Sequence, residues 1–128
     1  MRTPEKAIFD KCFLLCEKVS DKVFWYLPNA ETQYPFINLS RTSNTNINNN
    51  DLLGEVTQTI NLWGTEKELA IIDNLNYRIR DLLHKEREAF EYSIRLIDYN
   101  TITMVDISTG EPLLHTVIEV TYNYTRKE

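Results

Sequence analysis

Apolar residues recur at helical spacing near the start of the chain. Ile8, Cys12, Leu15 and Val19 form a stripe flanked by Phe9, Phe13 and Cys16, while Asp10, Glu17 and Asp21 fall opposite. This pattern predicts a helix from about Pro4 to Ser20 whose broad apolar face suits packing on a sheet. Thr3 stands at the N-cap and Pro4 at the first helical position, where no backbone donor is lost. The period then shortens. Val23 to Leu27 reads as an aromatic strand stopped by Pro28 and Asn29, and Pro35 to Leu39 as a second strand with Phe36 or Ile37 directed inward.

The clearest alternation runs from Glu55 to Trp63. Val56, Gln58, Ile60 and Leu62 define a mostly apolar face, and Thr57, Thr59, Asn61 and Trp63 a mostly polar one. Gly64 closes this strand, and Thr65 with Glu68 supplies a capping box. A second helix is expected to reach Phe90, with Leu69, Ile72, Leu75, Ile79, Leu82 and Leu83 on one face. Tyr92 to Asp98 and Thr101 to Ile107 read as strands separated by a turn or bulge. Ser108 to Pro112 is a hairpin signal in which Gly110 takes positive φ. The final strand runs from Leu113 to about Thr125, longer than the usual five or six residues. Such a strand is expected to outrun its sheet and offer an edge to a neighbour. The order of elements predicts an α+β domain, an antiparallel β-sheet with two α-helices packed on one face.

One stretch breaks the patterning. From Arg41 to Asp51 the chain is polar and dominated by asparagine. Asparagine and serine bond nearby backbone groups and tolerate left-handed conformations, so a long polar loop is expected at about 40–54. Connections in compact domains usually run to about four to six residues, and longer ones tend to be functional or disordered.

Composition narrows the function classes. The 128 residues suit a single domain, 1–128. Apolar (42%) and charged (26%) fractions are those of an ordinary globular protein, and a net charge of −5 gives no electrostatic footprint for nucleic-acid binding. The charged start does not read as a signal peptide and no apolar run could span a bilayer, so a soluble, intracellularly made protein is expected. Cys12 and Cys16 lie four residues apart on one helix, which suits a disulfide poorly, and read as reduced, buried thiols. With His84 and His115 they are the only soft metal-ligand candidates, too few and too scattered for a zinc site. No nucleophile stands beside a positioned base, and three glycines leave no phosphate-binding loop. No catalytic, metal or cofactor-binding residues are assigned, and the chain is not expected to be an enzyme. Most strand aromatics belong to a core. Trp63, on the polar face of its strand, is a candidate for a subunit interface, joined by Tyr122 and Tyr124 of the last strand.

The order of parts resembles the tail-terminator and tail-completion proteins of long-tailed bacteriophages with non-contractile tails, the head–tail joining group. An N-terminal helix, an aromatic segment, the Tyr34-Pro35-Phe36-Ile37 strand, a long polar loop, the strand ending at Trp63-Gly64, a capped helix and a closing hairpin carry the similarity. The resemblance implies a homohexameric ring in the virion, assembled in the host cytoplasm. Such a ring sits on the head-proximal end of the tail tube, stops tube polymerisation and presents a surface to the head connector. Its partners would be copies of itself, the major tail-tube protein and a head-completion protein, with DNA only passing through the channel and no membrane or small-molecule substrate. Asn44, Asn46, Asn48, Asn49, Asn50 and Asp51 would then form a loop contacting tube or neck. An uncharged loop adds no fixed positive charge to hold phosphates in transit. A head-completion or stopper protein is the alternative within this class, and a small adaptor or immunity-type binding module the alternative outside it.

Overall fold

The computed structural model describes residues 1–29, 31–46, 52–108 and 110–127. Helix α1 spans Pro4–Glu17, with the Thr3 hydroxyl accepting from the Lys6 amide. Strand β1 is Val23–Phe24, β2 Phe36–Asn46 and β3 Leu53–Thr65. A single 3₁₀ turn, Glu66–Glu68, leads into helix α2, Leu69–Lys85. Strands β4, Glu88–Ala89, β5, Tyr92–Asp106, and β6, Leu113–Arg126, complete the chain. The capping box forms: Glu68 accepts from both the amide and the hydroxyl of Thr65.

The strands form one sheet in the order β1-β2-β3-β6-β5-β4, curled into a half-barrel. Its pairs are antiparallel except β1–β2, which is parallel, with Val23 beside Ile37 and Phe24 beside Asn38. The sheet is therefore mixed, and the expectation of a purely antiparallel sheet is overturned. The cause lies between the two strands. The chain leaves β1 after two residues and returns to the start of β2 through a long connection interrupted by Pro28 and Pro35, so no tight hairpin reverses it.

The core lies between the sheet and the helices. Ile8, Cys12 and Leu15 of α1 and Ile72, Leu75, Ile79 and Leu83 of α2 join Ile37, Leu39, Val56, Ile60, Leu62, Ile118 and Val120 in one buried cluster. Helix α2 stops at Lys85 rather than Phe90. Arg87 donates to the His84 carbonyl at 2.7 Å, and Glu88–Ala89 then pairs with β5 through a turn in which Phe90 has φ of 55°. Tyr92 to Asp106 is one strand; of the turn or bulge expected at Asp98 to Thr101 it is a bulge that forms, slightly earlier, between Leu96 and Asp98. Gly110 takes φ of 89° in the β5–β6 hairpin.

The final strand does not supply an edge. β6 is central, paired along its length with β3 on one side and β5 on the other. The expected loop at 40–54 also contracts, because residues 41–46 extend β2 against β3. Gly54 closes this ladder: a Cβ there would stand 2.5 Å from the Thr45 carbonyl oxygen and 2.8 Å from the Tyr124 hydroxyl. Gly54→Ala is accordingly expected to destabilise the fold by about 1–3 kcal/mol, the usual cost of overpacking. Urea unfolding checks this, with a lower midpoint and unchanged slope as the expected result.

Candidate functional site

The face of the sheet opposite the helices carries an aromatic row. Register places Phe36, Trp63, His115 and Met104 side by side on β2, β3, β6 and β5. Trp63 and His115 stack with ring centroids 3.7 Å apart and planes 11° from parallel, and Phe36 lies between Trp63 and Tyr34. Hydrogen bonds fix the row from below. The Trp63 indole donates to Asn38 at 3.0 Å, His115 Nε2 donates to Asn61 Oδ1 at 2.8 Å, and the Asn61 amide donates to Ser40 at 2.9 Å. Asn38 and Asn61 are buried, so each polar group needs these partners. Burial lowers the His115 pKa below its ordinary 6.5, the Asp106 carboxylate partly opposing the shift. Beside the row a groove of about 500 Å³ is bordered by Leu27, Tyr34, Phe36, Trp63 and Asp106.

A second surface is the outer edge of β5. β4 covers only Tyr92 and Ser93, so among the described residues no strand pairs with β5 beyond this point on its outer side. From Ile97 onward this length has few charges and exposes large apolar side chains: Ile102 60%, Val105 63% and, just past the strand, Ile107 70%. Successive residues on both faces are open here because α2 reaches only as far as Tyr99 and Thr101, through Asn76 and Arg80. Proteins ordinarily blunt such an edge with charge, proline or a covering element.

The residues singled out from sequence fall in different places. Tyr122 and Tyr124 are buried in the core and cannot form a subunit interface, because alternation along β6 turns both toward the helices. The Tyr122 hydroxyl donates to the Leu83 carbonyl, and the Tyr124 hydroxyl to Asn44 Oδ1 at 3.1 Å. Trp63 is half-buried against His115 rather than a free exposed anchor. Asn44 and Asn46 are strand residues, not loop: Asn44 also donates to Glu5, and Asn46 donates to the Tyr124 hydroxyl at 3.3 Å. Asn48, Asn49, Asn50 and Asp51 lie outside the described residues.

Cys12 and Cys16 are free and buried, and burial pushes the Cys12 thiol up to about 12, so neither is a ready nucleophile. Among the described residues no group of three or more His, Cys, Asp and Glu side chains is placed to hold a metal ion. No helix among them is long and apolar enough to cross a membrane. No protein-family model matches the chain, and no curated protein sequence matches it at a significant level. The β5 edge escaped the sequence reading because the bulge at Leu96–Asp98 splits the strand's alternation, although the uncharged run from Tyr99 to Val105 was a usable signal.

His115 makes the aromatic row testable. Its folded-state pKa lies below the unfolded value, so between the two the unfolded chain binds the extra proton and folding stability falls as pH drops below about 6.5. An NMR titration should place the His115 midpoint below 6.5, and His115→Gln should reduce the loss of stability between pH 7 and 5.

Proposed function

We propose that this chain is a structural assembly subunit that forms a ring at the head-proximal end of a phage tail tube, stops tube polymerisation and joins tail to head. The observation that carries the reading is the free edge of β5. An outer side that no strand among the described residues pairs beyond β4, flanked by exposed Ile102, Met104 and Val105, forms a template for another chain, and pairing would remove apolar surface and backbone groups from water together. The order of elements supports the tail-terminator form of this reading. α1, the aromatic segment from Val23, the Tyr34–Ile37 entry to β2, the Trp63-Gly64 end of β3, the capped α2 and the β5–β6 hairpin follow one another as in that group.

On this reading the subunit acts in the virion as a homohexameric ring. The ring contacts the tail-tube protein on one side and a head-completion protein on the other, with DNA passing through its channel. Asn48, Asn49, Asn50 and Asp51, between β2 and β3, are the proposed contact with tube or neck. Asn44 and Asn46 drop out of that role, since their side chains are engaged with Glu5 and Tyr124. A ring of this kind needs no catalytic residue; its work is done by surfaces.

Wild-type protein should form rings visible by electron microscopy, alone at high concentration or on tail tubes. Ile102→Lys with Val105→Lys should shift it to monomers on gel filtration while moving the melting temperature little, since both side chains are exposed. Loss of the gene should leave over-length or unjoined tails beside DNA-filled heads. A protein that stays monomeric and never decorates tubes, with normal tails in its absence, would be a binding module of another kind.

A further inference from the structure

The sheet has two incompletely covered edges, and their features correspond. On β2, β1 covers only Ile37 and Asn38, a bulge follows between Leu39 and Thr42, and the strand from there to Thr45 has no outer partner strand among the described residues. On β5, β4 covers only Tyr92 and Ser93, a bulge follows between Leu96 and Asp98, and the strand to Asp106 has no outer partner strand among the described residues. Three antiparallel steps separate β2 from β5, so the two run in opposite directions. In a head-to-tail array that keeps subunit orientation, β5 of one copy therefore meets β2 of the next antiparallel, the slightly more stable pairing.

The open lengths also differ in sign. From Ile97 to Asp106, β5 carries Asp98 and Asp106 and no cation, whereas Ser40 to Thr45 carries Arg41 and no anion. Val105 lies opposite Leu114, on the helix-covered face of the sheet. In a continued sheet it would face the next copy's α1, where an open groove of about 640 Å³ is lined by Phe9, Phe13 and Trp25 together with Arg2 and Lys6, both ion-paired to Asp10. The open lengths are not level, since Asn46 stands in register with Gly54, Tyr124 and Ile94, and Phe36 with Trp63, His115 and Met104. Pairing them steps each copy along the strand direction, which is the shear that tilted strands need to close a barrel.

We infer that copies of this chain join through antiparallel pairing of the open β5 edge, 97–106, with the open β2 edge, 40–45, of the next copy, giving one continuous sheet around the ring. The inference rests on the self-assembly reading and adds which two surfaces meet. Two sets of variants with one added cysteine each test it: Ser43→Cys on β2, and Asn100→Cys, Ile102→Cys or Met104→Cys on β5, all on the helix-free face. The native Cys12 and Cys16 are buried and silent under mild oxidation. The expected result is a disulfide-linked dimer when Ser43→Cys protein is mixed with one of the β5 variants, and none from either variant alone. A β5 variant that cross-links with itself would show symmetric edge-to-edge pairing and overturn the inference. Assembly of all variants without any cross-link would also overturn it, leaving the self-assembly reading intact. Wild-type protein that never associates would overturn both.

Discussion

The uninterrupted pairing of β3 with β6 is the constraint on which the rest of this structure depends. The two strands hold register from Leu53 opposite Thr125 to Thr65 opposite Leu113 without a bulge. Their shared inner face presents Val56, Ile60, Leu62, Ile118, Val120 and the rings of Tyr122 and Tyr124, and this surface gives the amphipathic helices something to bury against. The polar residues on that face are satisfied within the sheet: buried Gln58 reaches the Arg41 and Thr59 carbonyls, and buried Thr116 shares a hydrogen bond with Thr103. Irregularity is displaced to the flanking strands, so the bulges fall on β2 and β5.

Three buried tyrosines tie this spine to its surroundings. Tyr92 donates to the Arg2 carbonyl before α1, Tyr122 to the Leu83 carbonyl near the end of α2, and Tyr124 to Asn44 on β2. Each ring fills core volume while its hydroxyl satisfies a polar group that burial would otherwise leave costly. The first two asparagines of the polar stretch thus serve the fold. Asn44 and Asn46 hold the far end of β2 against β6 by bonding a core hydroxyl across the glycine at position 54, which leaves room for it.

Much of the architecture was legible in the sequence where a local rule decided it. The Thr3 cap, the Thr65–Glu68 box, the alternation of β3 and the Gly110 hairpin all depend on neighbours within a few positions. What the sequence concealed depends on distant partners. The polar run from Arg41 to Asn46 has loop composition but becomes strand because β3 offers it a ladder, a tertiary override of propensity. Tyr122 and Tyr124 look like interface aromatics until β6 proves to be central. The parallel β1 and the centrality of β6 follow from the order of the sheet, which no local window contains.

The central claim is that the half-barrel is incomplete alone and is finished by a second copy at the edges. Amide hydrogen exchange followed across protein concentration addresses it directly. The account predicts that amides of β3 and β6, and those β5 amides that point at β6, are protected at every concentration, whereas the alternate amides of Ile97–Asp106 that point outward exchange fast when dilute and become protected on association. Edge amides of β5 that exchange equally fast at all concentrations, while the protein demonstrably assembles, would contradict it.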